Sequence, residues 1–401
     1  MKTDVLIVGG GAAGFFAAIN IVEFNPDLKV TILERGKEVL TKVKVSGGGR
    51  CNVTHAEFVP KELVQNYPRG EKELLGPFHT FMTGDTIEWF EKRGVELKIE
   101  EDGRMFPTTD SSQTIIDCFL SEARRLGIRV LKGHAVKAIA REDGQWKLNT
   151  NQGAFYGEKL LVATGSNPKM WSLLEKLGHR IVAPVPSLFT FNIQDERIEG
   201  LMGLTTPASV SVVDEDLHAD GPLLITHWGV SGPAVLKLSA WGAKALHKRG
   251  YAFQIRVNWV QGDEEDTLAY FQEIKRIHPK HLIMKNPQFD LPKRLWQRLV
   301  EASGISETLN WASLRKEQSQ ALANQITQCV FQVNGKSTFK EEFVTAGGVH
   351  LKELNFKTFE SRVHNDLYFA GEILDIDAIT GGFNFQNAWT GAYIAAKSIA
   401  G

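Results

Sequence analysis

The first 34 residues constrain the fold of this chain more than any other stretch. Residues 4–8 form a short apolar run, which is typical of a strand buried on both faces of a parallel sheet. A glycine-rich turn over residues 9–14 passes directly into a helical run over residues 15–22, and a second strand over residues 29–33 stops at Glu34. Strand, turn, helix and strand in this order predict a βαβ unit with two parallel strands.

The glycines of this turn each suit a different steric requirement. Gly9 permits a tight turn, Gly11 lets a pyrophosphate approach the backbone, and Gly14 lets the helix pack closely on the strand. Glu34 follows Gly14 by 20 residues and is placed to accept hydrogen bonds from ribose hydroxyls. The unit therefore predicts a dinucleotide-binding site. The acidic Glu34 favours FAD or NAD over NADP, although the adjacent Arg35 weakens that exclusion.

Composition indicates an ordinary soluble globular protein with more than one domain. The chain has 401 residues, of which 43% are hydrophobic, and it carries 46 Lys and Arg against 47 Asp and Glu. No apolar run reaches the ~20 residues that span a bilayer, and the N-terminal strand does not resemble a secretion signal. Cys51, Cys118 and Cys329 form no close pair, so we expect a cytoplasmic protein without a disulfide or zinc site.

A second glycine-rich segment, residues 46–52, is unusual in composition for a surface loop. Residues 47–49 are three consecutive glycines, which can present bare N–H groups in a concave arrangement that suits anionic or carbonyl oxygens. Arg50 is predicted to pair with phosphate and Ser46 to hydrogen-bond it. The alternative is a flexible linker, but linkers rarely embed Arg-Cys-Asn among glycines.

The remaining patterns predict how the chain is divided. From residue 184 onward, segments 188–193, 208–213 and 252–257 alternate apolar and polar residues, as antiparallel strands do. Ser231 is predicted to be the N-cap of a helix over residues 234–248. Residues 262–326 are charged and are predicted to form three separate helical elements. A buried strand over residues 366–370 and a final helix then resume the first pattern. The predicted domains are a dinucleotide-binding domain (1–185 with 343–401), a β-rich domain (186–261 with 327–342) and a helical insert (262–326).

The C-terminal segment predicts a second contact site for an elongated cofactor. Asp375 follows a strand that ends at Gly371 and Glu372, so its carboxylate would accept hydrogen bonds from ribityl hydroxyls; an exposed turn carboxylate is the alternative. The glycine turn before Phe383 would direct the N-terminus of the last helix at the flavin edge where negative charge develops on reduction. A short strand over residues 154–156 and a separate one over residues 159–165 are also predicted. Ala163, near the end of the second, marks either a close approach to the cofactor or a plain strand-to-helix turn.

These motifs occur in one order along essentially the whole chain, and together they resemble the bacterial NAD(P)/FAD-dependent oxidoreductases grouped with aminoacetone oxidase and BaiN-type flavoproteins. The triplet of glycines before Arg50 is the most specific mark of the resemblance. It implies an α/β fold: a Rossmann-like FAD-binding domain split between the N- and C-terminal sequence, an inserted antiparallel β-barrel-like domain and a small helical domain. It also implies non-covalent FAD and redox chemistry on a small molecule.

These motifs contain the candidate functional residues. His227, in the most distinctive loop of the β-rich domain, is the candidate for proton transfer, with a histidine hydrogen-bonded in a domain interface as the equal alternative. Cys51 is interpreted as a packing residue near the cofactor and not as a nucleophile. The predicted cofactor-binding residues are Gly9, Gly11, Ala12, Ala13, Gly14, Glu34, Arg35, Lys42, Ser46, Gly47, Gly48, Arg50, Cys51, Asn52, Val136, Ala163, Thr164, Gly165, Gly371, Glu372, Asp375, Gly381, Gly382, Phe383 and Asn384.

The preferred function is hydride transfer between FAD and a small organic substrate, with NAD(P)H left open as a transient electron donor. Neither a second nucleotide-binding glycine motif nor a close cysteine pair is found, which argues against a disulfide reductase. We expect no nucleic-acid or membrane partner. A tRNA-modifying flavoprotein is one alternative, disfavoured by the near-neutral charge and by the lack of a Lys/Arg cluster. The other alternative is a non-enzymatic FAD-binding redox sensor. The sequence leaves the oligomeric state open.

Overall fold

The computed structural model describes residues 2–337 and 344–401. Among these, the chain divides into two compact units, one of residues 2–185 with 344–401 and one of residues 186–337. The predicted helical insert, 262–326, lies within the second unit and shares a hydrophobic core with its strands. The division into three domains remains a prediction, and its boundary between residues 342 and 343 lies outside the described residues.

The helices and strands are numbered here in chain order. Up to residue 187 they are β1 (Lys2–Val8), α1 (Ala12–Phe24), β2 (Val30–Leu33), α2 (Thr41–Gly49), β3 (Thr54–His55), α3 (Pro60–Leu63), α4 (Glu71–Phe78), α5 (Thr83–Glu91), β4 (Leu97–Ile99), β5 (Arg104–Pro107), α6 (Ser112–Arg125), β6 (Arg129–Leu131), β7 (Val136–Glu142), β8 (Gln145–Thr150), β9 (Gly153–Val162), α7 (Pro168–Lys176) and β10 (Ile181–Ser187). The second unit then contains β11 (Thr190–Asn192), β12 (Thr205–Val212), β13 (His218–Ile225), β14 (Gly229–Ser231), α8 (Pro233–Trp241), α9 (Ala243–Lys248), β15 (Ala252–Asn258), α10 (Glu264–Ile277), α11 (Lys293–Ala302), α12 (Lys316–Thr327), β16 (Cys329–Asn334) and β17 (Lys336–Ser337). The chain ends with β18 (Val344–Val349), β19 (Leu354–Asn355), β20 (Glu360–Ser361), β21 (Leu367–Phe369) and α13 (Phe383–Ala400).

The first unit is built on a parallel sheet that joins both ends of the sequence. Its parallel strands run in the order β21, β9, β1, β2, β6, so the C-terminal β21 and the N-terminal β1 both pair with β9. Ile7 lies opposite Ile32 of β2 on one side and Leu161 of β9 on the other, and all three are fully buried. Strands covered on both faces need such continuous apolar runs. The predicted Rossmann-like organisation of this unit is confirmed.

Strand β9 differs from the sequence-based prediction. The sequence suggested a short strand over residues 154–156 and a separate one over residues 159–165, whereas the structure has one strand of 10 residues, Gly153–Val162. Its first half pairs antiparallel with β8, and most of its length also runs parallel to β1. One strand can therefore serve the β7–β8 hairpin and the parallel sheet together.

An aromatic cluster fixes the last helix of the chain against the first. Phe16 of α1 lies 4.4 Å from Trp89 and 5.1 Å from Trp389 of α13, and Phe119 lies 5.7 Å from Trp389, between ring centroids. Phe16, Phe119 and Trp389 are fully buried, and Trp89 is nearly so. Aromatic pairs of this kind add about 0.5–1.5 kcal/mol each beyond the burial of area. The N-terminus of α1 is thereby held in a fixed place beside α13.

The second unit is an antiparallel sheet with helices packed on it. Its strands run in the order β16, β15, β12, β13, β14, β11, β17, with antiparallel pairing of β12 to both β13 and β15. Burial alternates along β15 and β16, as expected where one strand face meets the core. The predicted inserted antiparallel β domain is confirmed, and α10, α11 and α12 confirm the three predicted helical elements.

The helix after β14 was predicted with a wrong start and as one continuous element. Ser231 is not its N-cap, because Ser231 is the last residue of β14, pairs with Leu224 and accepts a hydrogen bond from Thr190 Oγ1. The cap is Gly232, with φ of 91°. The predicted single helix over residues 234–248 is divided at Gly242 into α8 and α9.

Candidate functional site

The turn between β1 and α1 has the backbone geometry that its glycines predict. Gly9 has φ of 114°, and a Cβ atom there would lie 2.3 Å from the carbonyl oxygen of Ala163. A Cβ atom at Gly14 would lie 2.0 Å from the carbonyl oxygen of Gly9. Both positions therefore exclude a side chain, which confirms their predicted steric roles. The predicted contact of these residues with a cofactor stays a prediction.

Gly11 is different, because the space around it is open. It precedes α1 as its N-cap, and a Cβ atom there would have nothing within 4 Å. The first turn of α1, which includes Ala12 and Ala13, has neither an acidic residue nor a side-chain cap, so its N–H groups are not satisfied from within the helix. A helix N-terminus with this open approach suits a phosphate group.

Glu34 lies against the same turn. Its carboxylate accepts hydrogen bonds from the backbone N–H groups of Gly10 (2.8 Å) and Gly36 (2.6 Å), which hold it beside the glycines. Its carbonyl oxygen accepts from the N–H of His134, so the segment that leads to Val136 runs alongside. Arg35 is exposed. The geometry suits the predicted role of Glu34 with a ribose placed near the turn.

The strand ends next to this turn carry the other predicted N-terminal residues. The N–H of Ala163 donates to the carbonyl oxygen of Val8, so β9 and β1 end together. Gly165 follows with φ of 62°, and Thr164 lies between them. Ligands bind at the carboxyl ends of parallel strands in open α/β sheets, and these residues lie at such an edge.

The glycines of residues 47–49 break α2. Ser46 leaves the helical conformation, and Gly47, Gly48 and Gly49 have φ of 58°, 68° and 86°. A Cβ atom at Gly47 would lie 2.9 Å from the ring of Phe106, while one at Gly48 would have nothing within 4 Å. The segment is therefore a defined left-handed turn with open space at Gly48.

Arg50 and Ser46 are engaged within the protein. The guanidinium of Arg50 lies 3.9 Å from the centre of the Phe106 ring, 2.5 Å from Glu100 and 3.5 Å from Asp110. The hydroxyl of Ser46 donates to the carbonyl oxygen of Val43 at 2.9 Å. Their phosphate contacts stay predictions. The sequence could not reveal Glu100 and Asp110 as partners of Arg50, because they lie 50 or more residues away in the chain.

Cys51 and Asn52 are buried at the end of this segment. Burial raises the pKa of the Cys51 thiol to about 12, so almost no thiolate is present at neutral pH, which supports its interpretation as a packing residue. The Oδ1 atom of Asn52 is buried and has no hydrogen-bond partner among the residues that the structure describes. It would lie 2.8 Å from a Cβ atom at Gly382, so the glycine segment meets the start of α13.

The C-terminal segment meets the N-terminal turn. Gly371 has φ of 75°, and a Cβ atom there would lie 3.4 Å from Ala13 of α1. Glu372 accepts a hydrogen bond from Lys42 at 2.5 Å, which joins two predicted site residues 330 positions apart. Asp375 is 9% exposed, and its N–H donates to Val349 of β18. Residues from both ends of the chain that the sequence assigns to the cofactor therefore lie together, and their contact with it stays a prediction.

The start of α13 is closely packed and is held by side-chain contacts of Phe383 and Asn384. Gly382 is its N-cap, and a Cβ atom there would lie 2.4 Å from the carbonyl oxygen of Thr54. Phe383 stacks on His55, with ring centroids 4.4 Å apart, and the amide of Asn384 bonds both the N–H and the carbonyl oxygen of Ala378. No acidic residue lies in the first turn of the helix. Its N-terminus therefore keeps its partial positive charge.

Sequence reasoning missed one residue of this region. Asn387, in the second turn of α13, is 1% exposed, and neither polar atom of its side chain has a partner among the described residues. Buried amides are usually hydrogen-bonded, so Asn387 points to a ligand, as does Asn52. The signal was a set of three amides, Asn384, Gln386 and Asn387, within the first five residues of the helix.

FAD fits this set of residues. The open space at Gly11 and Gly48 leaves room for cofactor atoms, and Glu34 offers a carboxylate to ribose hydroxyls. The buried oxygen of Asn52, beside the N-terminus of α13, lacks a donor that a ring such as the isoalloxazine carries. Phosphate, hydroxyl and ring are each matched by chemistry present in the first unit.

His227 lies in the second unit, on the exposed turn between β13 and β14. With Asp195, Arg197 and Gln325, it lines a depression of about 880 Å³. Arg197 binds the carboxylate of Asp195 through two nitrogens at 2.7 and 2.8 Å and donates to Gln325 at 2.9 Å. Although burial opposes it, hydrogen bonding from Arg197 keeps the pKa of Asp195 below its ordinary value. Sequence reasoning missed this pair, and the catalytic role of His227 stays a prediction.

The prediction that the chain lacks a Lys/Arg cluster is wrong. Residues 275–298 contain seven Lys or Arg residues and one Asp, a net charge of +6 in a chain whose total is −1. Averaging over 401 residues concealed the segment. Among the residues that the structure describes, no helix is both long and apolar enough to cross a membrane.

Comparison with known proteins identifies the family. The profile described as the HI0933-like protein Rossmann domain matches residues 3–398. The chain belongs to the HI0933-like family. It is therefore a flavin-dependent oxidoreductase with a Rossmann-type FAD-binding fold, and the family resemblance seen in the sequence is confirmed.

Relatives of this HI0933-like protein carry two different names. It is 28% identical over 409 residues to a ribosomal RNA dihydrouridine synthase of Escherichia coli, covering 99% of this chain and 98% of the relative. It is 27% identical over 410 residues to a 3-dehydro-bile acid delta(4,6)-reductase of Clostridium scindens, covering 98% of each. In fold, it is similar to a 3-ketosteroid-delta4-(5alpha)-dehydrogenase of Rhodococcus jostii, with 13% identity, a TM-score of 0.52 and coverage of 100% and 97%.

Proposed function

We propose that this HI0933-like enzyme uses FAD to saturate a carbon–carbon double bond conjugated to a carbonyl group, and that its substrate is uridine in RNA. The observation that carries the proposal is the end-to-end similarity to two relatives whose names describe one kind of reaction. Dihydrouridine is uridine with its ring double bond saturated, and a delta(4,6)-reductase saturates ring double bonds. This shared chemistry is narrower than flavin redox chemistry in general.

The residues of the first unit have defined roles in this proposal. The N–H groups that follow Gly11 would bind the pyrophosphate, Glu34 would bind the adenosine ribose, and Asp375 would bind the ribityl chain. The chemistry available from FAD in such a site is hydride transfer to one carbon of an activated double bond. The N-terminus of α13, after Gly382, would stabilise negative charge on a flavin bound beside it by about 0.3–1 kcal/mol, or more when buried.

A proton must reach the carbon that does not receive the hydride. His227 is our candidate donor, because histidine is the side chain most often used for proton transfer near neutral pH. The sequence contains no second dinucleotide-binding glycine motif. We therefore propose that NADPH or NADH binds transiently to supply the electrons. The His227→Gln variant should lower kcat with little change in FAD binding.

The test combines the donor and the acceptor. FAD-loaded protein is mixed anaerobically with NADH or NADPH in a stopped-flow instrument, and bleaching of the flavin identifies the donor. The reduced protein is then incubated with uridine-containing ribosomal RNA, and mass spectrometry of the digested RNA measures addition of two hydrogens to uridine. If the flavin is reduced but neither RNA nor a conjugated ketone reoxidises it, the proposal is refuted.

Reduction of a small unsaturated ketone is the second candidate, favoured by the bile acid reductase relative. It corresponds to the sequence-based preference for a small-molecule substrate. A conjugated steroid ketone that reoxidises the reduced protein faster than RNA does would favour it. The predicted absence of a nucleic-acid partner is weakened by the relatives that act on ribosomal RNA. The non-enzymatic redox sensor loses its support, because the family is one of flavin-dependent oxidoreductases.

A further inference from the structure

Positive charge is concentrated in one stretch of the second unit. Residues 275–298 carry a net charge of +6, whereas the rest of the chain is acidic in balance, since the total is −1. The stretch covers the last turn of α10, the connection to α11 and most of α11. Two histidines, His278 and His281, add further basic groups, and their exposed rings stack with centroids 4.6 Å apart.

The fold holds this stretch in a defined arrangement. The indole N–H of Trp296 in α11 donates to the carbonyl oxygen of Ile283 at 2.7 Å, so α11 lies against the connection. The backbone N–H of Trp311 donates to the carbonyl oxygen of His281 at 3.1 Å. Trp296 and Trp311 are fully buried, and the connection is thereby fixed from two sides. The lysines of this connection, Lys280 and Lys285, are exposed on its surface.

Several of these charges are not neutralised by the protein. Arg276 pairs with Glu273 at 2.5 Å and Arg298 with Glu301 at 3.4 Å. By contrast, Lys280, Lys285 and Lys293 are exposed and have no ion pair or hydrogen bond among residues 2–337 and 344–401. Lys275 and Arg294 donate to the carbonyl oxygens of Leu314 and Gly200, which leaves their charge uncompensated.

Two cationic side chains lie in the first turn of α11, where they destabilise the helix. Lys293 and Arg294 occupy its first turn, where the partial positive charge of the helix end repels them, and no acidic residue is present there. Helix α10 shows the ordinary arrangement, with acidic residues in its first turn and Lys275 and Arg276 in its last. The cations at the start of α11 therefore call for an explanation other than local stability.

We propose that Lys280, Lys285 and Lys293, together with Lys275 and Arg294, form a basic surface that docks RNA through its phosphate backbone. This inference rests on the proposed function, since RNA is the polyanion that the reaction would require. Phosphate contacts from Lys and Arg position a nucleic acid without reading its sequence. The surface would hold the RNA chain, and base recognition would lie elsewhere.

The experiment compares two triple variants of the FAD-loaded full chain. The surface variant carries Lys280→Glu, Lys285→Glu and Lys293→Glu, and the control carries Lys72→Glu, Lys237→Glu and Lys248→Glu at exposed lysines elsewhere. Both change the net charge equally. Binding of a labelled single-stranded, uridine-containing RNA is measured by fluorescence anisotropy at increasing NaCl, and circular dichroism checks folding. A Lys→Gln triple at the surface positions gives a second measurement should the charge reversal disturb the fold.

We expect the surface variant to bind at least about tenfold more weakly than wild type at low salt and the control to bind nearly as wild type. Log K falls as log salt rises, and loss of three phosphate contacts should make this slope shallower by about 2. Equal weakening in both variants, or no weakening in the surface variant, would overturn the inference. Binding of the wild type to phosphatidylserine vesicles but not to RNA would also overturn it.

A separate activity measurement distinguishes this inference from the proposed function. NADPH-dependent reduction of a small conjugated ketone should be the same in wild type and in both triple variants. If wild type reduces the ketone but does not bind RNA, the docking surface fails and double-bond reduction stands. If RNA binding depends on the surface but no unsaturated substrate is reduced, the docking surface stands and the proposed reaction fails.

Discussion

Substitution of Gly11 by Ala should separate cofactor binding from folding. Gly11 has φ of −97° and ψ of −167°, an extended conformation that alanine adopts without strain, and its Cβ atom would meet nothing within 4 Å. Alanine is a poorer N-cap than glycine, which lowers the free energy of unfolding. It also restricts the unfolded chain, which raises the free energy of unfolding by about 0.4–1 kcal/mol. The two effects oppose each other, so the apoprotein should keep its free energy of unfolding within about 1 kcal/mol.

In the FAD-bound protein, by contrast, the space beside Gly11 would be filled. If the pyrophosphate lies against the backbone at Gly11, the added methyl group occupies the space that it needs. We expect the Kd for FAD to rise at least tenfold, which corresponds to about 1.4 kcal/mol.

Gly14→Ala is the matched control, because its Cβ atom would lie 2.0 Å from the carbonyl oxygen of Gly9. Helix α1 or the turn would have to move, at an overpacking cost of about 1–3 kcal/mol. Because the close contact is with the backbone, we expect a cost in the upper part of that range, above the ~1 kcal/mol which alanine gains over glycine within a helix. Gly14→Ala should therefore lower the stability of the apoprotein itself, whereas Gly11→Ala should not.

Two measurements check the pair of variants. Urea unfolding of the apoproteins gives their stabilities, and quenching of flavin fluorescence on titration gives the Kd for FAD. Wild-type affinity in Gly11→Ala would refute the placement of the pyrophosphate at this turn. A greater loss of apoprotein stability in Gly11→Ala than in Gly14→Ala would refute the steric reasoning for both glycines.

Three further expectations concern buried ionisable groups. Because burial raises the pKa of Cys51 to about 12, iodoacetamide should label it only after denaturation, and labelling of the native protein detected by mass spectrometry would contradict this. Asp377 is fully buried and pairs with Arg69, so Asp377→Asn should lower the free energy of unfolding in urea by about 3–5 kcal/mol. A loss below about 1 kcal/mol would mean that the pair is not a buried ionic contact. Burial holds the pKa of His179 below its ordinary value of 6.5, although Glu353 opposes the shift. Below about pH 6.5 the unfolded chain therefore takes up a proton that the folded chain excludes. The contribution of neutral His179 to the free energy of unfolding is present above about pH 6.5 and is lost as the pH falls. His179→Gln should flatten the acid-side decline in unfolding free energy between about pH 7 and pH 5, and an unchanged decline would refute the assignment.

Much of the candidate site was predictable because its signals are local. A glycine with positive φ, such as Gly9, or one in close contact, such as Gly14, is required by the backbone within a few residues of itself. Glu34 follows the second strand at a spacing fixed by the length of the helix between the strands. The apolar runs of β1 and β2 likewise follow from burial on both faces of the sheet.

Other residues took part in contacts that no local pattern contains. Arg50 pairs with Glu100 and Asp110, far away in the chain, while its predicted contact with phosphate stays a prediction. Ser231 was predicted to cap a helix, but strand pairing with Leu224 took it into β14. Asn387 was missed because the sequence does not show which of the three neighbouring amides in α13 is left without a hydrogen-bond partner.

The sequence by itself determined that a dinucleotide-binding βαβ unit opens the chain and that antiparallel strands and helices are inserted after it. Only the tertiary structure decided which distant residues share the site. Gly371 meets Ala13, Glu372 meets Lys42, and Asn52 meets the turn at Gly382 because β9 lies between β1 and β21 in the sheet. Hydrophobic periodicity and turn chemistry specify single elements, whereas strand order is set by packing between elements far apart in the chain.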